Sequence, residues 1–130
     1  MTLGEATTAL KASLDARPGA TAEPLTASRG TVPLVLIYKV MGKMFAILSV
    51  RETQNVILKC DPHLAEVLRE KYDGVGHRSH LDRRFWIAVD LDADVPADEI
   101  EHLAALSYDL VCAGLTRKQK AELAALTASP

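Results

Sequence analysis

Between residues 34 and 60 the chain carries three apolar runs, LVLIYKV, KMFAILSV and NVILKC, interrupted only at Met41-Gly42 and Glu52-Thr53. Runs of this length, rich in branched and aromatic residues and separated by short breaks, specify an antiparallel meander. The rest of the chain must cover that sheet. Residues 5–16 space Ala9, Leu10 and Leu14 at helical intervals. The segment 17–33 is rich in Pro, Gly, Ser and Thr and reads as a loop with one short edge strand around Leu25. Asp61-Pro62 opens a second helix, since Asp caps well and Pro suits the first helical position, and Leu64, Val67, Leu68 and Tyr72 form its stripe. DGVGHRSHLD is a loop and RRFWIAVDL a fourth long strand. The segment ADEIEHLAALSYDLVCAGL begins with acids and ends at Gly114, as a helix should, and Thr116 with Gln119 forms the capping box of a last helix. The expected fold is α+β: one domain over residues 1–130, a mainly antiparallel sheet with helices packed on one face.

Register decides which side chains face outward. A Met41-Gly42 hairpin loop would need positive φ at both residues, which is costly for Met. A three-residue loop, Val40-Met41-Gly42, with only Gly42 left-handed, avoids that cost and makes Lys39 and Lys43 direct cross-strand partners. The face carrying Leu34, Leu36, Tyr38, Met44, Ala46, Leu48 and Val50 then makes the better core, continued by Val56, Leu58 and Cys60 and by Phe85, Ile87, Val89 and Leu91. The outer face combines Lys39, Lys43, Arg51, Lys59 and Arg84 with Phe45 and Trp86. Basic groups interleaved with aromatics suit backbone phosphates and stacked bases. Two lysines directly opposite repel, and an anion relieves them.

The composition bounds the alternatives. A formal charge of −2 argues against a general polyanion binder, so any nucleic-acid surface must be local. No run approaches the roughly 18 apolar residues of a spanning helix, and no secretory leader is evident, which makes the cytoplasm the expected address. Cys60 and Cys112 have neither CxxC nor metal spacing and read as free thiols. His77-x-x-His80 with Asp82 lacks a third ligand, and Asp90, Asp92 and Asp94 lack the glycine of a calcium loop, so no metal or other cofactor is expected. No phosphate-binding glycine loop or nucleophile elbow is present. Ser107 falls on the packed stripe of its helix, where a small residue permits close approach to the sheet.

Taken in order, YKVMGKMFAIL, VILKCDPHLAEVLREKYDGV, the His80 loop running into FWIAVDL, and ALSYDLVCAGL resemble the MmcQ/YjbR family over residues 17–118. The matched positions are Lys39, Gly42, Lys43, Phe45, Lys59, Asp61, Pro62, His80, Arg83, Trp86, Ser107, Tyr108 and Val111. Where the family tends toward Asn-Lys-x-His-Trp, this chain has Asp82, Arg83, Arg84, Phe85 and Trp86. The resemblance implies a CyaY-like fold, a double-wing DNA-binding module and no established enzymatic activity. The expected function is therefore non-enzymatic DNA binding, with Lys39, Lys43, Lys59, Arg83 and Arg84 on phosphates and Phe45 and Trp86 stacking, in a monomer or small homo-oligomer. The rival is a module for a small anionic ligand or a protein partner on the same patch. A small enzyme using His80 with Tyr108 or Cys60 is the third class.

Overall fold

The computed structural model describes residues 5–26, 33–49, 54–76 and 81–127. Within them the order is α1 (Glu5–Asp15), β1 (Ala20–Thr26), β2 (Pro33–Val40), β3 (Lys43–Ser49), β4 (Asn55–Lys59), α2 (Pro62–Lys71), β5 (Val75–Gly76), β6 (Trp86–Asp90), α3 (Ala97–Ala113) and α4 (Arg117–Thr127). The strands form one six-stranded sheet in the order β1-β2-β3-β4-β6-β5, with every neighbouring pair antiparallel. The expected α+β meander is present, and the sheet extends beyond it at both edges. The short edge strand expected around Leu25 is seven residues long, and β5 is a two-residue strand within a segment read as loop. RRFWIAVDL is a strand only from Trp86, because Asp82 starts a turn whose backbone carbonyl accepts from the N–H groups of Phe85 and Trp86.

The helix caps follow the local chemistry. The Asp61 carboxylate accepts from the N–H groups of His63 and Leu64, both at 3.1 Å, with Pro62 in the first turn. Thr116 and Gln119 exchange reciprocal 3.1 Å bonds at the start of α4. Asp94 spends its carboxylate on the N–H groups of Asp73 and Gly74, at 2.9 and 2.7 Å, and those bonds hold it below the usual carboxylate range.

The core lies between the sheet and α1, α2 and α3. Tyr38, Val40, Leu48, Val56, Leu58, Ile87 and Val89 point from the strands into it, and Ile100, Leu103, Ala104, Ser107, Tyr108 and Val111 meet them from α3. On α2 the buried residues are Ala65 and Leu68, while Val67, expected on the stripe, is exposed.

One irregularity changes the expected face of β3. Tyr38 pairs with Ala46 but Lys39 pairs with Met44, so Phe45 is an extra residue, a β-bulge. A bulge reverses the alternation of the side chains beyond it. Phe45 therefore turns inward beside Ala46 and is completely buried, its ring 6.1 Å from Tyr38 and edge-on to Tyr108 at 5.3 Å. The expectation that Phe45 stacks a ligand on the outer face is corrected. The next rung of the β3–β4 ladder after Ala46–Leu58 is missing, and the Ser107 hydroxyl replaces it. It donates to the Phe45 carbonyl at 2.5 Å and accepts from the Lys59 N–H at 2.8 Å. Ser107 is thus a hydrogen-bonding insert in the sheet as well as a small residue on a packed stripe.

The hairpin is also tighter than expected. Val40 pairs with Lys43, leaving the two-residue loop Met41-Gly42 with φ of 51° and 80°. This doubly left-handed turn matches the twist of the strands, and the part-buried Met41, packed against the core, offsets its backbone cost. Lys39 and Lys43 are consequently not partners: Lys39 faces Met44 on the outer face, and Lys43 lies opposite Val40 on the helix-bearing side.

Asp15 closes the other side of the core. An acid in the last turn of a helix opposes the helix dipole, but here the carboxylate accepts from the Tyr38 hydroxyl at 2.7 Å and from Lys11 at 2.8 Å. Partial burial raises its pKa, and the bonds from Lys11 and Tyr38 outweigh that and leave it lowered.

Four consequences are measurable. Ser107→Ala leaves a part-buried N–H and a buried carbonyl unpaired and should cost about 2–4 kcal/mol in urea unfolding; a loss below about 0.5 kcal/mol would mean that water restores the rung. Gly42→Ala meets no atom within 4 Å and should cost only the left-handed strain, about 1–2 kcal/mol. Gly19→Ala, at φ 72°, also places its Cβ 2.6 Å from Leu123 Cδ1 and should cost more, falling to the Gly42 level in a Leu123→Ala background. Finally, a lowered Asp15 pKa adds stability above the unfolded carboxylate value near 4, and this is lost as pH falls through the folded value. Asp15→Asn should therefore flatten the acid limb of a Tm-versus-pH curve below about pH 4; an unchanged limb would assign acid sensitivity to other carboxylates.

Candidate binding face and the adjoining groove

No described helix packs against the second face of the sheet. Its central row runs across four strands as Ile37, Ile47, Ile57 and Ala88, paired in that order. One step toward the β2–β3 hairpin, the next row carries Lys39 and Met44, then Lys59 paired directly with Trp86. Strands lie about 4.8 Å apart, so Lys39 and Lys59 are separated by roughly 10 Å across this row. Three of the expected residues, Lys39, Lys59 and Trp86, thus share one end of one face.

The charges there are partly spent. Lys39 is ion-paired to Glu23 of β1 at 3.1 Å, so no external anion is needed to relieve it. Lys59 has no ion-pair partner among the described residues and stands beside the indole. Arg84, three-quarters exposed, is bound to Asp82 at 2.8 Å and lies 5.3 Å from the Phe85 ring centroid. Its bond to Asp82 raises its pKa further.

Phe85, expected to point inward, is 38% exposed. It sits in the turn before β6, where strand alternation does not operate, and Asp82 sets that turn by accepting from the Arg84 N–H at 2.9 Å. Phe85 and Trp86 line a groove of about 440 Å³ together with Lys59, Pro62 and Leu110. The exposed aromatic neighbour of Trp86 is therefore Phe85, which takes the place expected for Phe45. An Asp followed by a polar pair is a turn signal, and it marks Phe85 as lying outside the strand.

Arg83 is exposed and borders a second cleft of about 360 Å³, with Arg69 and Arg84 on the same lining. Arg69, in the body of α2, is half-buried and donates from one terminal nitrogen to the carbonyls of Arg83 at 2.7 Å and Trp86 at 3.1 Å. Burial, and then the positive charge of Arg83, lower its pKa. The signal that could have found it is its position four residues after Ala65 on the buried side of α2.

The remaining candidates are structural or lie elsewhere. Gly42 forms the hairpin turn, and Ser107 completes the β3–β4 ladder. Tyr108 donates its hydroxyl to the Pro18 carbonyl and is pushed up to about 12, first by burial and then by Cys112. Cys60 is buried, and desolvation with the neighbouring Asp61 pushes its thiol up to about 11, which disfavours a thiolate nucleophile. Arg51, His77 and His80 lie outside the described residues. Among the described residues no group of three or more His, Cys, Asp or Glu is placed to hold a metal, and no helix is long and apolar enough to cross a membrane.

Comparison with known proteins agrees with this architecture. The crystal structure of the Deinococcus radiodurans protein DR2400, a DUF419 domain, superimposes with a TM-score of 0.77 at 27% identity, covering 88% of this chain and 85% of that one. A Pseudomonas syringae protein of 24% identity, with a TM-score of 0.55 over 68% of this chain and 86% of its own, shares the fold. In sequence, the uncharacterized protein YjbR of Escherichia coli K12 is 38% identical over 73 residues, which are 54% of this chain and 60% of that protein. The match thus spans less than two thirds of that relative. The model of the YjbR family matches residues 15–110, from the end of α1 through most of α3. That span contains the whole sheet, the bulge and the serine that completes it, and on this ground the chain belongs to the YjbR family.

Proposed function

We propose that this domain is a non-enzymatic DNA-binding module that acts in the cytoplasm and holds a strand across the face of its sheet that no described helix covers. The observation that carries the reading is the direct cross-strand pairing of Lys59 with Trp86, with Lys39 in the same row and Phe85 beside the indole. A cation next to an aromatic ring on an open sheet can hold a phosphate while the adjoining base stacks, without reading sequence. Arg83 and Arg84 extend the cationic edge at the start of β6. Lys43, on the other side of the hairpin, contributes less. The raised Cys60 thiol and the engaged Tyr108 hydroxyl favour binding over catalysis.

A second reading has its own support in the row Ile37, Ile47 and Ile57, whose branched side chains are only half-buried. Such a stripe suits a protein partner, whose binding would be driven by apolar burial and resist salt.

Anisotropy titrations with a fluorescent single-stranded oligonucleotide separate the two. DNA binding predicts a log K that falls linearly with log salt, and Lys59→Gln should reduce the slope by about 0.7. Lys43→Gln should have the smaller effect. No binding at low salt, or equal effects of the two substitutions, would remove the Lys59–Trp86 row from the mechanism.

A further inference from the structure

We infer that the cleft between α2 and the turn preceding β6 is a phosphate-binding site formed by Arg69, Arg83 and Arg84. The cleft measures about 360 Å³, within the usual range for small-ligand sites, and Pro62 lines both it and the groove of Phe85 and Trp86. Arg69 is held in place by the two backbone carbonyls that its Nη2 reaches. Its Nε is buried without an acceptor among the described residues. Neither Arg69 nor Arg83 has a carboxylate in ion-pair range among the described residues. Two guanidinium groups that share a cleft, neither in ion-pair contact with a carboxylate among the described residues, gain from an oxyanion that accepts from both, and the planar fork of Arg suits a phosphate.

Glu66 and Glu70 line the same cleft, and Asp82 is already bound to Arg84. The three arginines face two lining glutamates, and Asp82 already neutralises Arg84, so the cleft carries little net charge and is not a general sink for anions. Its ligand must place a phosphate against Arg69 and Arg83 and offer hydrogen-bond donors to Glu66 and Glu70. A phosphate carried on a nucleoside meets both demands, since sugar hydroxyls and base amino groups are donors. The phosphate belongs either to a nucleic-acid backbone or to a free nucleotide. The inference rests on the DNA-binding reading only for the first of these sources.

The experiment titrates the full chain with AMP, with adenosine and with an unlabelled oligonucleotide, following the arginine Nε–Hε resonances by NMR. Arg83→Gln is the informative variant, because Arg69 also holds backbone carbonyls whose loss could disturb the fold. The inference predicts saturable binding of AMP and none of adenosine, with AMP affinity falling about ten-fold or more in Arg83→Gln at unchanged Tm. If the same substitution weakens the oligonucleotide, the phosphate comes from the backbone; if it spares the oligonucleotide, the site takes a free nucleotide. AMP that leaves the Arg69 and Arg83 resonances unmoved, while the oligonucleotide binds in a Lys59-dependent way, overturns the cleft and leaves the sheet face standing. Failure of both ligands overturns both.

Discussion

The bulge at Phe45 makes a hole in the sheet, and one hydroxyl on α3 fills it. Without the bulge, Phe45 would face outward and the Tyr38–Phe45–Tyr108 cluster would lose its middle ring. With it, the β3–β4 ladder stops one rung early, and the buried Phe45 carbonyl and the part-buried Lys59 N–H face each other across a gap. Ser107 is both donor and acceptor and is small enough to let α3 approach that closely. The position of α3 on the sheet, the inward turn of Phe45 and the end of β4 at Lys59 are therefore set together.

That arrangement was only partly legible in the sequence. The meander, the capped start of α2, the capping box of α4 and the buried face of Tyr38, Leu48, Leu58, Ile87 and Val89 follow from alternation and capping chemistry, which are local. The bulge is not local. KMFAILSV alternates plausibly in either phase, and what selects the inward phase for Phe45 is a serine 62 residues away. The two-residue hairpin was missed for a related reason: the strain at Met41 was weighed without the tertiary packing that offsets it. Phe85 was misplaced because alternation was extended back past the turn that Asp82 sets.

The candidate site fared similarly. The outward placement of Lys59 and Trp86 could be read because both lie in regular strands with one buried face. Lys39 was placed on the correct face, but its partner is Glu23, on a strand longer than the loop-like composition of residues 17–33 suggested. Arg69 was hidden because a half-buried arginine on a helix differs from a solvated one only in what the turn before β6 brings to it. The single basic and aromatic patch expected from the sequence thus resolves into two smaller features: a lysine–tryptophan pair on the second sheet face and an arginine cleft beside it. Separate small features are also easier to reconcile with a chain of net charge −2 than one broad cationic patch.

The face around Trp86 is the proposed seat of the ligand. The chain has a single tryptophan, so its emission reports on that position alone. The most direct measurement is Trp86 fluorescence during titration with single-stranded DNA at low ionic strength, where electrostatic attraction is least screened. Saturable quenching, reversed by added salt, is the expected result. Emission that stays unchanged while the DNA demonstrably binds would place the ligand on another surface and contradict the account.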